Sequence, residues 1–127
     1  MYGDKQQEPT ETFLNNEKIN INDLPIFTRT QLLSYNGVDK PQIYVGIRGY
    51  IYDVTPNVKT YGPGKAYHTF VGKDASRMLG LNKLKLPEGA ESWYTDDLED
   101  KYQKIIDDWI HFFKMRYNIV GVIVDHN

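Results

Sequence analysis

A chain of 127 residues is the size of one domain, and 40% hydrophobic with 25% charged residues is a globular composition. Fifteen Lys and Arg against seventeen Asp and Glu leave a formal net charge of -2, so the basic excess of a nucleic-acid binder is absent. Cysteine is absent too, which excludes disulfides, thiolate metal ligands, Cys nucleophiles and thioether-linked cofactors.

No run approaches the roughly 18 apolar residues that span a bilayer. The first residues lack the charged-then-apolar pattern of a signal peptide. The chain therefore reads as a soluble protein or the soluble part of a longer one.

Residues 1–19 are polar and aperiodic and are expected to form a flexible tail, with the folded domain over 20–127. Ile19, Ile21 and Leu24 suit a short first strand or an extended lead-in. Thr28 and Gln31 have capping-box spacing, Phe27 and Leu32 occupy the staple positions, and Gly37 supplies a stop, which predicts a helix over 28–36. Ile43, Val45 and Ile47 alternate with Tyr44 and Gly46, and Tyr50 to Val54 is rich in strand formers. Arg48-Gly49 between them predicts a β-hairpin.

Tyr61-Gly62-Pro63-Gly64 ends any regular element and opens a loop that runs to Tyr67. A helical turn is expected over 68–71, followed by a helix to Leu79 capped by Asp74. Lys83 to Asp96 is irregular, with Pro87 and Gly89. The longest helix is expected to start at an Asp97 cap, with Leu98, Tyr102, Ile105, Ile106, Trp109, Phe112 and Phe113 forming its apolar stripe. Ile119 to Val124 reads as a strand that returns to the sheet. The fold class is α+β: a small mixed sheet with a bowl of short helices and one longer C-terminal helix.

Hydrolytic chemistry finds little support. His68, His111 and His126 lack metal-ligand spacing, no Gly-x-Ser-x-Gly elbow occurs, and Gly62 and Gly64 do not make a phosphate loop. Asp107-Asp108 reads as a solvated helix face rather than a carboxylate pair. More informative are the two phenols of Tyr61 and Tyr67, six positions apart across a Gly/Pro turn that can bring both to one cavity. A phenol is a poor metal ligand at neutral pH, with a pKa of about 10, but ferric iron stabilises the phenolate and tyrosinate is an established axial haem ligand. A second phenol or a cation nearby would support it, and Arg116 and Tyr117 are candidates. The competing reading is tyrosines that pack at a loop and wet their hydroxyls.

The order of motifs carries a resemblance. Phe27-Thr28 with Leu32, the run Ile47 to Thr55, Tyr61-Gly-Pro-Gly-Lys-Ala-Tyr67, Phe70 to Arg77, Trp109, and Arg116-Tyr117 followed by Val120-Gly121 together resemble the membrane-associated progesterone receptor (MAPR) family, a haem-binding branch related to cytochrome b5. The resemblance implies a cytochrome b5-like domain that binds haem b non-covalently, with Tyr67 as the iron ligand and Tyr61, Arg116 and Tyr117 in the cofactor site. It implies a regulator or haem carrier, not an enzyme, that supports sterol-modifying haem monooxygenases and responds to a steroid. It places the protein at the cytoplasmic face of the endoplasmic reticulum, or in the cytoplasm if the chain is complete.

Lys65-Ala66 stands where the family has Gly-Pro, Arg116 where it has Lys, and the N-terminal anchor is not visible. His68, beside Tyr67, is a competing iron or propionate partner. The His-Pro-Gly-Gly ligand of ordinary cytochrome b5 is missing. The alternatives are a haem-free interaction module of the same fold and a cytochrome b5-type electron carrier. A ligand carried on a loop would leave the haem partly exposed, and an exposed face invites a haem-linked homodimer.

Overall fold

The structure is a computed structural model that describes residues 8–124, so the outer part of the expected tail and His126 lie outside the described residues. Among the described residues four strands form one mixed sheet: β1 (Ile26–Phe27), β2 (Tyr44–Ile47), β3 (Tyr50–Asp53) and β4 (Asn118–Ile123), in the order β1-β4-β3-β2. β1 runs parallel to β4, and the other neighbours are antiparallel. The hairpin between β2 and β3 pairs Ile47 with Tyr50 across Arg48-Gly49. Both turn residues have positive φ, 47° and 84°, the geometry that lets a two-residue loop follow the strand twist.

Among the described residues the α-helices are α1 (Glu11–Glu17), α2 (Arg29–Leu32), α3 (Val58–Tyr61), α4 (Ser76–Leu81) and α5 (Asp100–Arg116). The capping box at α2 forms as expected, with Thr28 and Gln31 exchanging side-chain and backbone bonds. The α-helix itself stops at Leu32, shorter than expected, because Leu33 to Tyr35 tighten into turn bonds such as Tyr35 N–H to Leu32 O at 3.0 Å. The lead-in before β1 is a 3₁₀ turn, Ile21–Asp23. Another 3₁₀ turn, Ala66–Phe70, covers most of the helical turn expected over 68–71.

The segment read as a flexible tail is ordered from Thr10 onward. Thr10 caps α1 by accepting from Phe13 N at 3.0 Å and donates to Met115 O at 2.5 Å. Asn16 is buried and donates through Nδ2 to Lys114 O at 3.0 Å and Tyr117 O at 2.9 Å, while its Oδ1 accepts from Ile119 N at 3.0 Å. α1 thereby supplies, from a distant part of the chain, the partners that carbonyls at the end of α5 lack within their own helix.

Two other expectations shift. Asp97 does not cap α5, whose N-cap residue is Glu99 and makes no side-chain cap bond. Arg77 instead holds both Asp97 oxygens, at 2.6 and 3.1 Å, and a bidentate guanidinium pair outcompetes a neutral N–H donor. Asp74 sits one residue before the N-cap position of α4. Its Oδ1 accepts from Ser76 N and Ser76 Oγ, and its Oδ2 accepts from Gly49 N at 2.9 Å, tying the hairpin turn to the start of α4.

The core lies between the sheet and the helices, with Leu32, Val45, Ile47, Ile51, Val54, Ile106 and Phe113 all fully buried. α4 and α5 approach closely where a Cβ on Gly80 would stand 2.8 Å from Ile106 Cγ1, so the glycine sets the spacing of these two helices. Among the described residues no helix is long and apolar enough to cross a membrane.

Candidate functional site

α3 ends at Tyr61, and Gly62, Pro63 and Gly64 reverse the chain into the 3₁₀ turn that carries Tyr67. Gly64 takes φ 87°, the left-handed conformation this reversal needs. His68 then closes the loop: its Nδ1 lies 2.8 Å from Tyr61 O. A carbonyl only accepts, so the proton sits on Nδ1 and this nitrogen is committed to the loop.

The turn brings the two phenols together, with ring centroids 6.0 Å apart at 48°. Their environments differ sharply. Tyr61 is 2% exposed, and Tyr67 is 36% exposed. Tyr61 packs edge-on to Phe113 at 6.0 Å and to Tyr117 at 6.2 Å, and Tyr67 tilts against Phe70 at 5.2 Å. Tyr117 is buried at the junction of α5 and β4, and its hydroxyl accepts from Asn57 Nδ2 at 2.9 Å.

Burial pushes the Tyr61 hydroxyl well above the ordinary 10.0 of a phenol. The Tyr117 and Tyr67 oxygens and a hydrogen bond with Tyr117 push the same way, and Arg116 opposes weakly. Tyr61 is therefore a neutral phenol held in a fixed place, able to donate a hydrogen bond. Arg116 is exposed, with its guanidinium 4.4 Å over the Phe112 ring. It acts on the cluster by charge, from outside.

Tyr67 opens onto a groove of about 260 Å³ between α4 and α5. Phe70, Met78, Leu79, Leu84 and Trp109 give it apolar walls, and Asn82 and Lys83 stand on its rim. Asn82 closes α4 in the left-handed conformation, φ 57°, while Lys83 N–H reaches back to Met78 O at 2.9 Å. Thr69 Oγ1 donates to Leu84 O at 2.9 Å and fixes the far lip. Of the four residues singled out in the sequence, Tyr67 lines the groove, Tyr61 and Tyr117 stand behind it, and Arg116 lies apart on the solvent side. Asn82, Lys83 and Leu84 were not foreseen, because they follow a helix stop inside an irregular segment with no periodic signal. Asp107 pairs with Arg48 at 2.7 Å, as a solvated helix face would.

A family model described as Cytochrome b5-like Heme/Steroid binding domain matches residues 28–107. The chain is 41% identical over 99 residues to Probable steroid-binding protein 3 of Arabidopsis thaliana, covering 77% of this chain and 97% of that protein. It is 34% identical over 103 residues to Cytochrome P450 regulator dap1 of Schizosaccharomyces pombe, covering 77% of this chain and 62% of that one. With Membrane-associated progesterone receptor component 2 of Rattus norvegicus it shares 37% identity over 98 residues, 75% of this chain and 44% of the other. It thus spans nearly all of the first relative and less than two thirds of the other two. Among solved structures, a hypothetical Arabidopsis thaliana protein with a cytochrome b5 like fold superposes with a TM-score of 0.72 at 40% identity, covering 80% of this chain and 93% of that one.

Proposed function

The chain belongs to the cytochrome b5-like haem/steroid-binding domain family, with membrane-associated progesterone receptor components among its relatives, and on that premise we propose that it binds haem b non-covalently through the Tyr67 phenolate. One observation carries the reading. Tyr67 is a part-exposed phenol at the edge of a groove walled by Phe70, Met78, Leu79, Leu84 and Trp109, backed by a second phenol that burial keeps neutral.

The residues present suit the group. Phe70, Met78, Leu79 and Trp109 offer flat and aliphatic surface to a macrocycle, and Lys83 on the rim suits a propionate. Tyr61, a neutral phenol hydrogen-bonded with Tyr117, stands behind Tyr67 and would donate to its phenolate once haem is bound, and Tyr117 is itself held by Asn57. Bound haem would supply a ferric Lewis acid, which holds a phenolate at neutral pH. A hard anionic ligand favours the oxidised metal, which suits regulation or haem delivery better than rapid electron transfer. The groove falls below the roughly 300–1,000 Å³ of enclosing ligand pockets, so a macrocycle edge would stay in water, which is compatible with a haem-linked homodimer.

Relatives named as a P450 regulator and a steroid-binding protein support a non-enzymatic role beside sterol-modifying haem monooxygenases, with a steroid as a second ligand. A relative named as membrane-associated supports a site of action at the cytoplasmic face of the endoplasmic reticulum. The test is absorbance during titration with hemin. Wild type is expected to saturate at one equivalent with a high-spin ferric spectrum, and Tyr67→Phe to bind at least tenfold more weakly. A low-spin spectrum would favour the electron carrier, and the absence of any saturable change the interaction module. Gel filtration of apo and loaded chains tests the dimer, which identical elution at high concentration would overturn.

A further inference from the structure

The loop that carries Tyr67 is held differently at its two ends. Tyr61, at its start, is fixed by burial, edge-on to Phe113 and Tyr117. Tyr67, near its end, is 36% exposed, so packing restrains it less. Between them Pro63 sets φ at one position only, Gly64 stands at φ 87°, and Lys65 and Ala66 have no ring to restrict the backbone. A segment of this composition has conformational freedom to lose when Tyr67 engages a ligand.

His68 supplies the restraint. In a continuing helix the Lys65 N–H would reach Tyr61 O. Here it turns to Gly62 O at 3.1 Å, and the Tyr61 carbonyl takes the His68 imidazole instead, Nδ1 to O at 2.8 Å. The His68 backbone is fixed as well: its N–H donates to Lys65 O at 3.0 Å, and its carbonyl accepts from Val71 N at 3.0 Å. Because His68 directly follows Tyr67, its side chain ties the residue next to the phenol to the buried end of the loop. The groove is lined by Tyr67 and not by His68, which argues against the imidazole as an iron or propionate partner.

We propose that His68 is a positioning residue for Tyr67: its Nδ1–H, donated to Tyr61 O, braces the loop so that the phenol meets iron at less ordering cost, and the imidazole itself is not a ligand. The inference rests on Tyr67 as the haem ligand, and half of its test needs no haem.

The experiment has two arms, both on the full chain. Without hemin, in mildly alkaline buffer, a long-range 1H–15N spectrum of the histidine rings reads the tautomer, and ring signals of labelled tyrosine read the setting of Tyr67. Wild-type His68 is expected as the Nδ1–H tautomer. With hemin, absorbance titration compares His68→Ala, His68→Gln and His68→Asn. The Asn amide nitrogen stands close to where Nδ1 stands in histidine, whereas the Gln amide matches Nε2, so the pair separates a brace through Nδ1 from any role of Nε2. Ala and Gln are expected to shift the Tyr67 ring signals and to weaken hemin binding about fivefold, and Asn to restore the signals and bind within about twofold of wild type. If His68→Ala does not fold, the Asn–Gln comparison and the wild-type tautomer decide. An Nε2–H tautomer, wild-type hemin binding in Ala or Gln, or an Asn variant no better than Gln would overturn the brace alone. A Tyr67→Phe protein that binds hemin like wild type would instead overturn the ligand, and this proposal with it, so the two failures are distinguishable.

Discussion

Replacing Asn16 with Ala removes three hydrogen bonds in one step, to Lys114 O, Tyr117 O and Ile119 N, all between 2.9 and 3.0 Å. Each such bond contributes about 1 kcal/mol net, and the abandoned partners lie where water replaces the amide poorly, so the loss should be about 3 kcal/mol. That is a large share of the roughly 5–15 kcal/mol that holds a domain of this size together. It corresponds to a fall in Tm of about 10 °C. Equilibrium urea unfolding and a thermal melt, on wild type and variant side by side, read it directly. Asn16→Asp sharpens the test. The carboxylate keeps the acceptor facing Ile119 N but puts negative charge against two carbonyl oxygens, so at neutral pH it should be at least as damaging as Ala. A loss within about 0.5 kcal/mol, the range of an ordinary surface substitution, would refute the view that α1 is an integral part of the domain.

Gly80→Ala should destabilise by about 1–3 kcal/mol, less the roughly 1 kcal/mol that Ala adds to helix propensity, because the new methyl meets Ile106 at 2.8 Å; urea unfolding reports the difference. The Asp97 carboxyl is held below its ordinary 3.8 by the hydrogen bond from Arg77, with the guanidinium charge adding to it. A carboxyl lowered on folding contributes stability above pH 3.8 that is lost as pH falls through its folded value. Asp97→Asn should therefore be less stable than wild type at pH 6, with the gap closing in acid melts below pH 3.8; a gap independent of pH would contradict the pairing. Tyr61→Phe should weaken hemin binding about three- to tenfold by absorbance titration while preserving the wild-type spectral type, since it removes a supporting donor and leaves the ligand.

Local signals in this sequence carried much of the fold. The capping box at Thr28 and Gln31 and the two-residue turn at Arg48-Gly49 are self-contained, and each forms as its residues dictate. α1 is different. Its register depends on Asn16 meeting backbone groups about a hundred residues away, and a polar residue in a polar stretch gives no periodic trace of such an appointment. Asp97 misled for a related reason: an Asp a few residues before a helix suits both a cap and an ion pair, and only the fold brings Arg77 within reach. At the candidate site, the Gly-Pro reversal that juxtaposes Tyr61 and Tyr67 was legible, because the reversal is local. The side of the groove formed by Asn82, Lys83 and Leu84 was not, because its position comes from the packing of α4 on α5.

The account turns on whether the Tyr67 oxygen is the iron ligand. A resonance Raman spectrum of the hemin-loaded chain measures this most directly. Wild type should show phenolate modes enhanced through an iron–oxygen charge-transfer band; Tyr61→Phe should keep them, and Tyr67→Phe should lose them. Phenolate modes that persist in Tyr67→Phe, or a wild-type spectrum of a low-spin bis-histidine iron, would contradict it.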